Sequence, residues 1–198
     1  MSLLINLVLS IFVACSYAGQ DDLIIKKLSN DVGFEFKFEQ NNFYKFLKQP
    51  KKSSGTALFN CPSNFIWELG GDNAVKIVSN GKKTWIYSPA EEEGDIPTMT
   101  VRDGQLSDGI QSLILGAKYK MSDIKDSKLF VKGSKDKGYK WASIRFTDTG
   151  DFKLDSIEFE DIDGSKVLID IRDFKRLDKK KPASTFIFKA PKGTRIIR

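Results

Sequence analysis

Three runs in the first half of this 198-residue chain alternate apolar and polar positions with a period of two, the spacing of a strand with one buried face. In 34–40, Phe34, Phe36 and Phe38 fall on one side and Glu35, Lys37 and Glu39 on the other. Asn41-Asn42 then offers a turn into a second strand over 43–48. A strand that includes Gly55 breaks at Pro62, and the next, 64–69, puts Phe65, Trp67 and Leu69 on one face with Asn64 and Glu68 opposite. Asn80-Gly81 tolerates positive φ and predicts a tight hairpin between 73–79 and 83–88, the latter carrying Trp85. From Tyr119 onward, breaks at Gly133, Gly138, Gly150 and Asp163-Gly164 separate strands over 128–133, 139–147, 152–160, 166–173 and 185–189.

Helical spacing occurs in two short stretches. In 21–28 acids come first and bases later, with Ile24, Ile25 and Leu28 on one face, the order that suits a helix dipole. In 110–115, Asp108 can cap the start and Gly116 the end, with Leu113 and Ile114 between. About ten strands in a meander whose neighbours pair in sequence order make a mainly β fold. The two helices are too short to form a layer, so they are expected as lids over the apolar face of a strongly curved antiparallel sheet.

Residues 1–18 carry no charge, are almost wholly apolar over 3–14, and place Ser16 and Ala18 where signal peptidase needs small residues. A cleaved secretory signal is expected, leaving one domain over 19–198. An alternative takes Phe12-Val13-Ala14-Cys15 as a lipid-attachment sequence and Cys15 as an acylated N-terminus. The roughly 180 remaining residues suit one domain, able to bury about 70% of its extended-chain surface.

Composition narrows the chemistry. The chain has no histidine, which removes the usual general base, zinc ligand and nucleophile partner. It has no Gly-rich phosphate loop, CxxC pair or nucleophile elbow. Glu91-Glu92-Glu93-Gly94-Asp95 reads as a solvated loop, and Asp161-Ile162-Asp163-Gly164 as a hairpin turn lacking the remaining calcium ligands. No catalytic residue, metal or cofactor is expected. The net charge of +6 comes with Lys scattered through the strands, and its densest run, 178–182, sits in a loop. Without a reader helix or an RNA-binding aromatic motif, nucleic acid is not expected as a partner.

Four blocks together resemble the LolA family of outer-membrane lipoprotein carriers. They are the N-terminal helix with a strand ending Phe38-Glu39-Gln40; 55–67 with Pro62 and Trp67; Gly81 followed by Trp85-Ile86-Tyr87-Ser88-Pro89; and the closing Phe186-Ile187-Phe188-Lys189-Ala190-Pro191-Lys192-Gly193. The resemblance spans nearly the whole chain after the signal. It implies an incomplete antiparallel barrel with helices over its mouth, and a monomeric periplasmic chaperone. Such a chaperone receives acylated lipoproteins from an inner-membrane ABC transporter and passes them to an outer-membrane acceptor.

On that resemblance the acyl cavity is expected to be lined by Phe34, Phe36, Phe38, Phe65, Trp67 and Trp85, with Leu28, Leu113 and Ile114 from the lids. Ordinary core packing is the alternative for each. The family commonly has Arg before the proline that is Pro62 here, whereas this chain has Cys61, so the lid latch at that position cannot use the same hydrogen bonds. Two further readings are a lipidated outer-membrane acceptor of the same fold and a lipid-sensing envelope regulator.

Overall fold

The computed structural model describes residues 32–60, 63–71, 74–103, 124–134, 139–148 and 153–197. The predicted signal 1–18 with Cys15, both predicted helices with Leu28, Leu113 and Ile114, and Cys61 with Pro62 lie outside the described residues.

Twelve strands form one mainly antiparallel sheet among the described residues. They are β1 (Gly33–Phe43), β2 (Lys51–Asn60), β3 (Asn64–Leu69), β4 (Val75–Asn80), β5 (Lys83–Ser88), β6 (Thr98–Asp103), β7 (Ile124–Lys125), β8 (Lys128–Ser134), β9 (Tyr139–Asp148), β10 (Lys153–Asp161), β11 (Lys166–Arg176) and β12 (Arg195–Ile197). Their spatial order is β12-β6-β5-β4-β3-β2-β1-β11-β10-β9-β8-β7, so the sheet is curved but open, with β12 and β7 at its edges. Two meanders, β1 to β6 and β7 to β11, join where β1 pairs antiparallel with β11.

Sequence-order pairing therefore fails at two places. The β1–β11 ladder spans most of the chain, and β12 lies parallel to β6. The Asn41-Asn42 turn is also corrected: β1 runs straight through it to Phe43, and 44–50 form the connection to β2 instead of a strand. The cause is pairing on both sides, because Asn42 faces Lys51 of β2 and Val167 of β11, so leaving the ladder there would strand backbone groups. The predicted strand 185–189 is likewise absent. Ala183–Phe186 forms a single 3-10 turn, which drives Phe186 fully inside, and the true last strand is β12. The Asn80-Gly81 hairpin stands as expected. Gly81 has φ +81°, and the Asn80 side chain accepts from the amides of Lys82 and Lys83 at 3.0 and 2.8 Å.

One face of the sheet is a single apolar cluster. It runs from Ile86 and Ile77 through Trp67, Phe65, Phe59 and the β1 phenylalanines to Ile169, Phe159, Ala142 and Leu129. A bulge shapes its middle. Register shifts between Glu35 and Lys37 so that Asp173 and Phe174 together oppose Phe36, and Asp173 takes φ +52°. A short carboxylate side chain tolerates that left-handed conformation, and the extra residue turns Phe174 onto the apolar face, stacked 5.5 Å from Phe34.

The other face is polar and tied by cross-strand ion pairs such as Lys76–Glu68 and Arg172–Glu39, both at 3.0 Å. Over its β3–β4 part runs the C-terminal segment, held where Asn60 and the Lys181 backbone exchange hydrogen bonds of 3.0 and 2.9 Å. Val78, Met99, Leu177 and Phe186 are buried but stand outside the main cluster, a smaller core.

At the centre, Gly55 faces Phe38 on β1 and Leu69 on β3. A Cβ there would meet the Glu68 carbonyl and the Phe38 ring, so only hydrogen fits. Gly55→Val is expected to lower unfolding free energy by about 1–3 kcal/mol in urea denaturation. A loss below about 0.5 kcal/mol, the range of neutral surface changes, would show that the strands can part there without strain.

Candidate functional site

The middle of the apolar face is built of aromatic rings drawn from four strands. Period-two alternation in β1 puts Phe34, Phe36 and Phe38 on it, β2 adds Phe59, β3 adds Phe65 and Trp67, and the β11 bulge adds Phe174. Phe38 lies on Trp67 with ring centroids 4.0 Å apart and a 27° tilt, in the space that Gly55 and Ala57 leave free. Phe36 meets Trp67 edge-on at 6.2 Å, Phe34 stacks on Phe59 at 4.5 Å, and Phe65 follows Phe59 at 6.3 Å. Trp67 is 0% exposed and the others are buried, except Phe174, which packs against the set while partly open.

Toward one end the same alternation runs into amides. Gln40 and Asn42, each 1% exposed, continue the Phe34, Phe36, Phe38 series, and Gln40 donates to the Asn42 side-chain oxygen at 2.9 Å. Toward the other end, Thr84 donates to the Ser79 hydroxyl at 3.2 Å beside Phe65, whose direct cross-strand neighbour is Ser79. The apolar surface is thus bounded by polar side chains that hydrogen-bond one another.

Five of the six cavity residues expected from the strands, Phe34, Phe36, Phe38, Phe65 and Trp67, come together on this face. Trp85 does not. It pairs with Val78, whereas Trp67 pairs with Ile77, so the register puts Trp85 on the opposite face. There it borders an open groove of about 560 Å³ with Lys83, Met99, Val101, Asp103 and Ile196. The remaining expected positions, Leu28, Leu113, Ile114 and Cys61, fall outside the described residues.

Sequence reasoning missed Phe59 and Phe174. Phe59 was findable, since it continues the Gly55, Ala57 alternation and sits opposite Phe34. Phe174 was not, because the bulge reverses the parity of everything after Asp173. The third indole, Trp141, also faces away from the cluster: it donates to Glu160 at 3.1 Å and stacks on Phe130. Hydrogen bonds from Lys140 and then Trp141 hold the Glu160 carboxyl below the ordinary carboxylate range.

This arrangement offers broad, adaptable apolar contact and little else. Among the described residues no group of His, Cys, Asp or Glu is placed to hold a metal, and no helix is long and apolar enough to cross a membrane. Rings in offset and edge-on contact can be parted by another apolar surface without breaking a hydrogen bond.

Comparison with known proteins places these features. The family described as Outer membrane lipoprotein carrier protein LolA matches residues 30–189. The Outer-membrane lipoprotein carrier protein of Aeromonas salmonicida (strain A449) is 25% identical over 198 residues, covering 98% of this chain and 96% of that one. An uncharacterized conserved protein from Thermus thermophilus superposes with a TM-score of 0.54 at 12% identity, over 88% of this chain and 96% of that one, a likeness of fold. The LolA superfamily protein NE2245 from Nitrosomonas europaea gives a TM-score of 0.41 at 13% identity, over 83% and 96% of the two chains.

Phe38→Ala removes the ring lying on Trp67 and is expected to cost about 3–5 kcal/mol, read from denaturant unfolding, with a red shift of tryptophan emission. A cost under about 1 kcal/mol would mean that the stack contributes no more than a surface residue does.

Proposed function

Because the chain belongs to the LolA family, we propose that it carries the acyl chains of lipoproteins across the periplasm, from an inner-membrane ABC transporter to an outer-membrane acceptor. One observation supports this most: the aromatic set Phe34, Phe36, Phe38, Phe59, Phe65 and Trp67 lies on one face of a sheet whose two edges are not joined among the described residues. In this reading the chain works as a monomer after processing at Ala18, and Leu28, Leu113 and Ile114 extend the acyl surface from lids near Cys61.

The energetics suit a carrier. An acyl chain of about sixteen carbons costs on the order of 10 kcal/mol to expose to water, at about 0.8 kcal/mol per methylene. Parting one aromatic pair forfeits only about 0.5–1.5 kcal/mol beyond burial, and the incoming chain replaces the burial. An empty face therefore closes on itself, while a loaded one exchanges ring contacts for acyl contacts at small net cost. Handover needs that balance, since a site much tighter than the acceptor's would keep its cargo. Binding alone is required, and no group has to donate or remove a proton.

The test mixes the full chain with a peptide N-acylated by a sixteen-carbon chain, and with the same peptide unacylated. A soluble one-to-one complex with the acylated peptide alone is expected. Phe65→Glu is expected to lose that complex by at least about tenfold in affinity while keeping a cooperative melt, because the nearby Ser79 and Thr84 hydroxyls and entering water can solvate the carboxylate at the margin of the set. A folded wild-type chain that takes up no acylated peptide would refute the carrier reading.

A further inference from the structure

Exposed apolar side chains concentrate at the end of β1 and in its connection to β2, over 43–50. Phe46 is 81% exposed, Phe43 44% and Leu47 37%, and Tyr44 stacks on Phe46 with centroids 5.5 Å apart. Single exposed apolar residues are ordinary, but three exposed ones within five positions, Phe43, Phe46 and Leu47, with half-buried Tyr44 between them, are not. The loop is held in shape, since the Leu47 amide donates to the Tyr44 carbonyl at 3.1 Å and the strands it joins are paired up to Asn42 and Lys51. Its form keeps Phe46 pointing into solvent.

Charge decides what such a loop suits. Lys45, Lys48, Lys51 and Lys52 are all exposed, and no acid occurs between Asn41 and Lys52. The adjoining β10–β11 turn brings Asp161 and Asp163, and also Ile162, which is 37% exposed. Aromatic and aliphatic tips among lysines match the two layers of a bilayer surface, with rings at the headgroup level and ammonium groups on phosphate oxygens. A folded protein partner would instead call for a shaped pocket or groove, and this loop presents projecting tips.

We propose that the β1–β2 loop docks the protein on anionic phospholipid membranes, Phe46 and Leu47 entering the interface and the four lysines holding to the headgroups. This surface shares no residue with the aromatic face, so it stands whether or not that face binds acyl chains. For a carrier it would bring loading and delivery to the bilayer surface and shorten the path of an acyl chain through water.

Flotation with vesicles tests this directly, using the full chain and either pure phosphatidylcholine or phosphatidylcholine with one quarter phosphatidylglycerol. Binding to the anionic vesicles is expected to be about tenfold or more tighter than to the neutral ones, and weaker at higher salt. Phe46→Ser preserves the net charge of +6 and removes a side chain that is mostly exposed and outside the buried core, so it separates insertion from diffuse attraction. It is expected to reduce anionic binding about tenfold with an unchanged melt, and Lys48→Gln with Lys52→Gln to reduce it further. Full retention in Phe46→Ser would overturn the proposal by assigning binding to net charge or to another segment. So would a wild-type chain that ignores vesicles, even if the Phe46→Ser chain then lost a crosslink to an envelope protein.

Discussion

Everything in this fold depends on β1 being paired on both sides. Its ladder to β2 continues the first meander, and its ladder to β11 joins the second, so one strand couples two halves that are far apart in sequence. The same strand carries Phe34, Phe36 and Phe38 toward one face, and Gly55 opposite Phe38 leaves room for that ring to reach Trp67. Sheet continuity and the aromatic cluster are therefore set by the same eleven residues. A defect in β1 would divide the sheet and expose the cluster together.

The two faces contribute very differently. The ion pairs of the polar face join side chains that are exposed or partly exposed, so water screens them, whereas each ring buried on the apolar face adds about 1.5–3 kcal/mol. Stability thus resides on the face proposed here for cargo, and a carrier of this design would bind with its own core. Aromatic packing tolerates this arrangement better than interlocked aliphatic packing would, because stacked and edge-on rings have several arrangements of similar energy. The C-terminal segment braces the opposite face through Asn60 and Phe186, which would keep β2 and β3 supported if their other face exchanged partners.

Much of this was legible in the chain. Alternation in β1 and β3 placed Phe34, Phe36, Phe38, Phe65 and Trp67 on one face, and Asn80-Gly81 gave the hairpin, because period and turn chemistry are local properties. What escaped depends on long-range pairing. Asn41-Asn42 has turn chemistry, but two neighbouring strands hold it extended. Trp85 reads like Trp67 in isolation, and only its register with Val78 sends it to the other face. Phe174 joins the cluster through a bulge at Asp173 that no periodicity announces. The tail reads as a strand by alternation at Phe186 and Phe188, yet Phe186 is needed to cover β3 and β4, and the backbone turns to place it there.

The placement of the three tryptophans, Trp67, Trp85 and Trp141, allows the central claim to be tested at one residue. Trp85 and Trp141 face away from the cluster, so a chain carrying Trp85→Phe and Trp141→Phe retains Trp67 as its only indole emitter. Titrating that chain with an N-acyl peptide brominated in the middle of its acyl chain should quench Trp67 emission, saturating at one peptide per chain, because the bromines would lie against the ring that Phe38 now covers. Binding of the peptide with Trp67 emission unchanged would place the acyl chain elsewhere and contradict the assignment of the aromatic face to cargo.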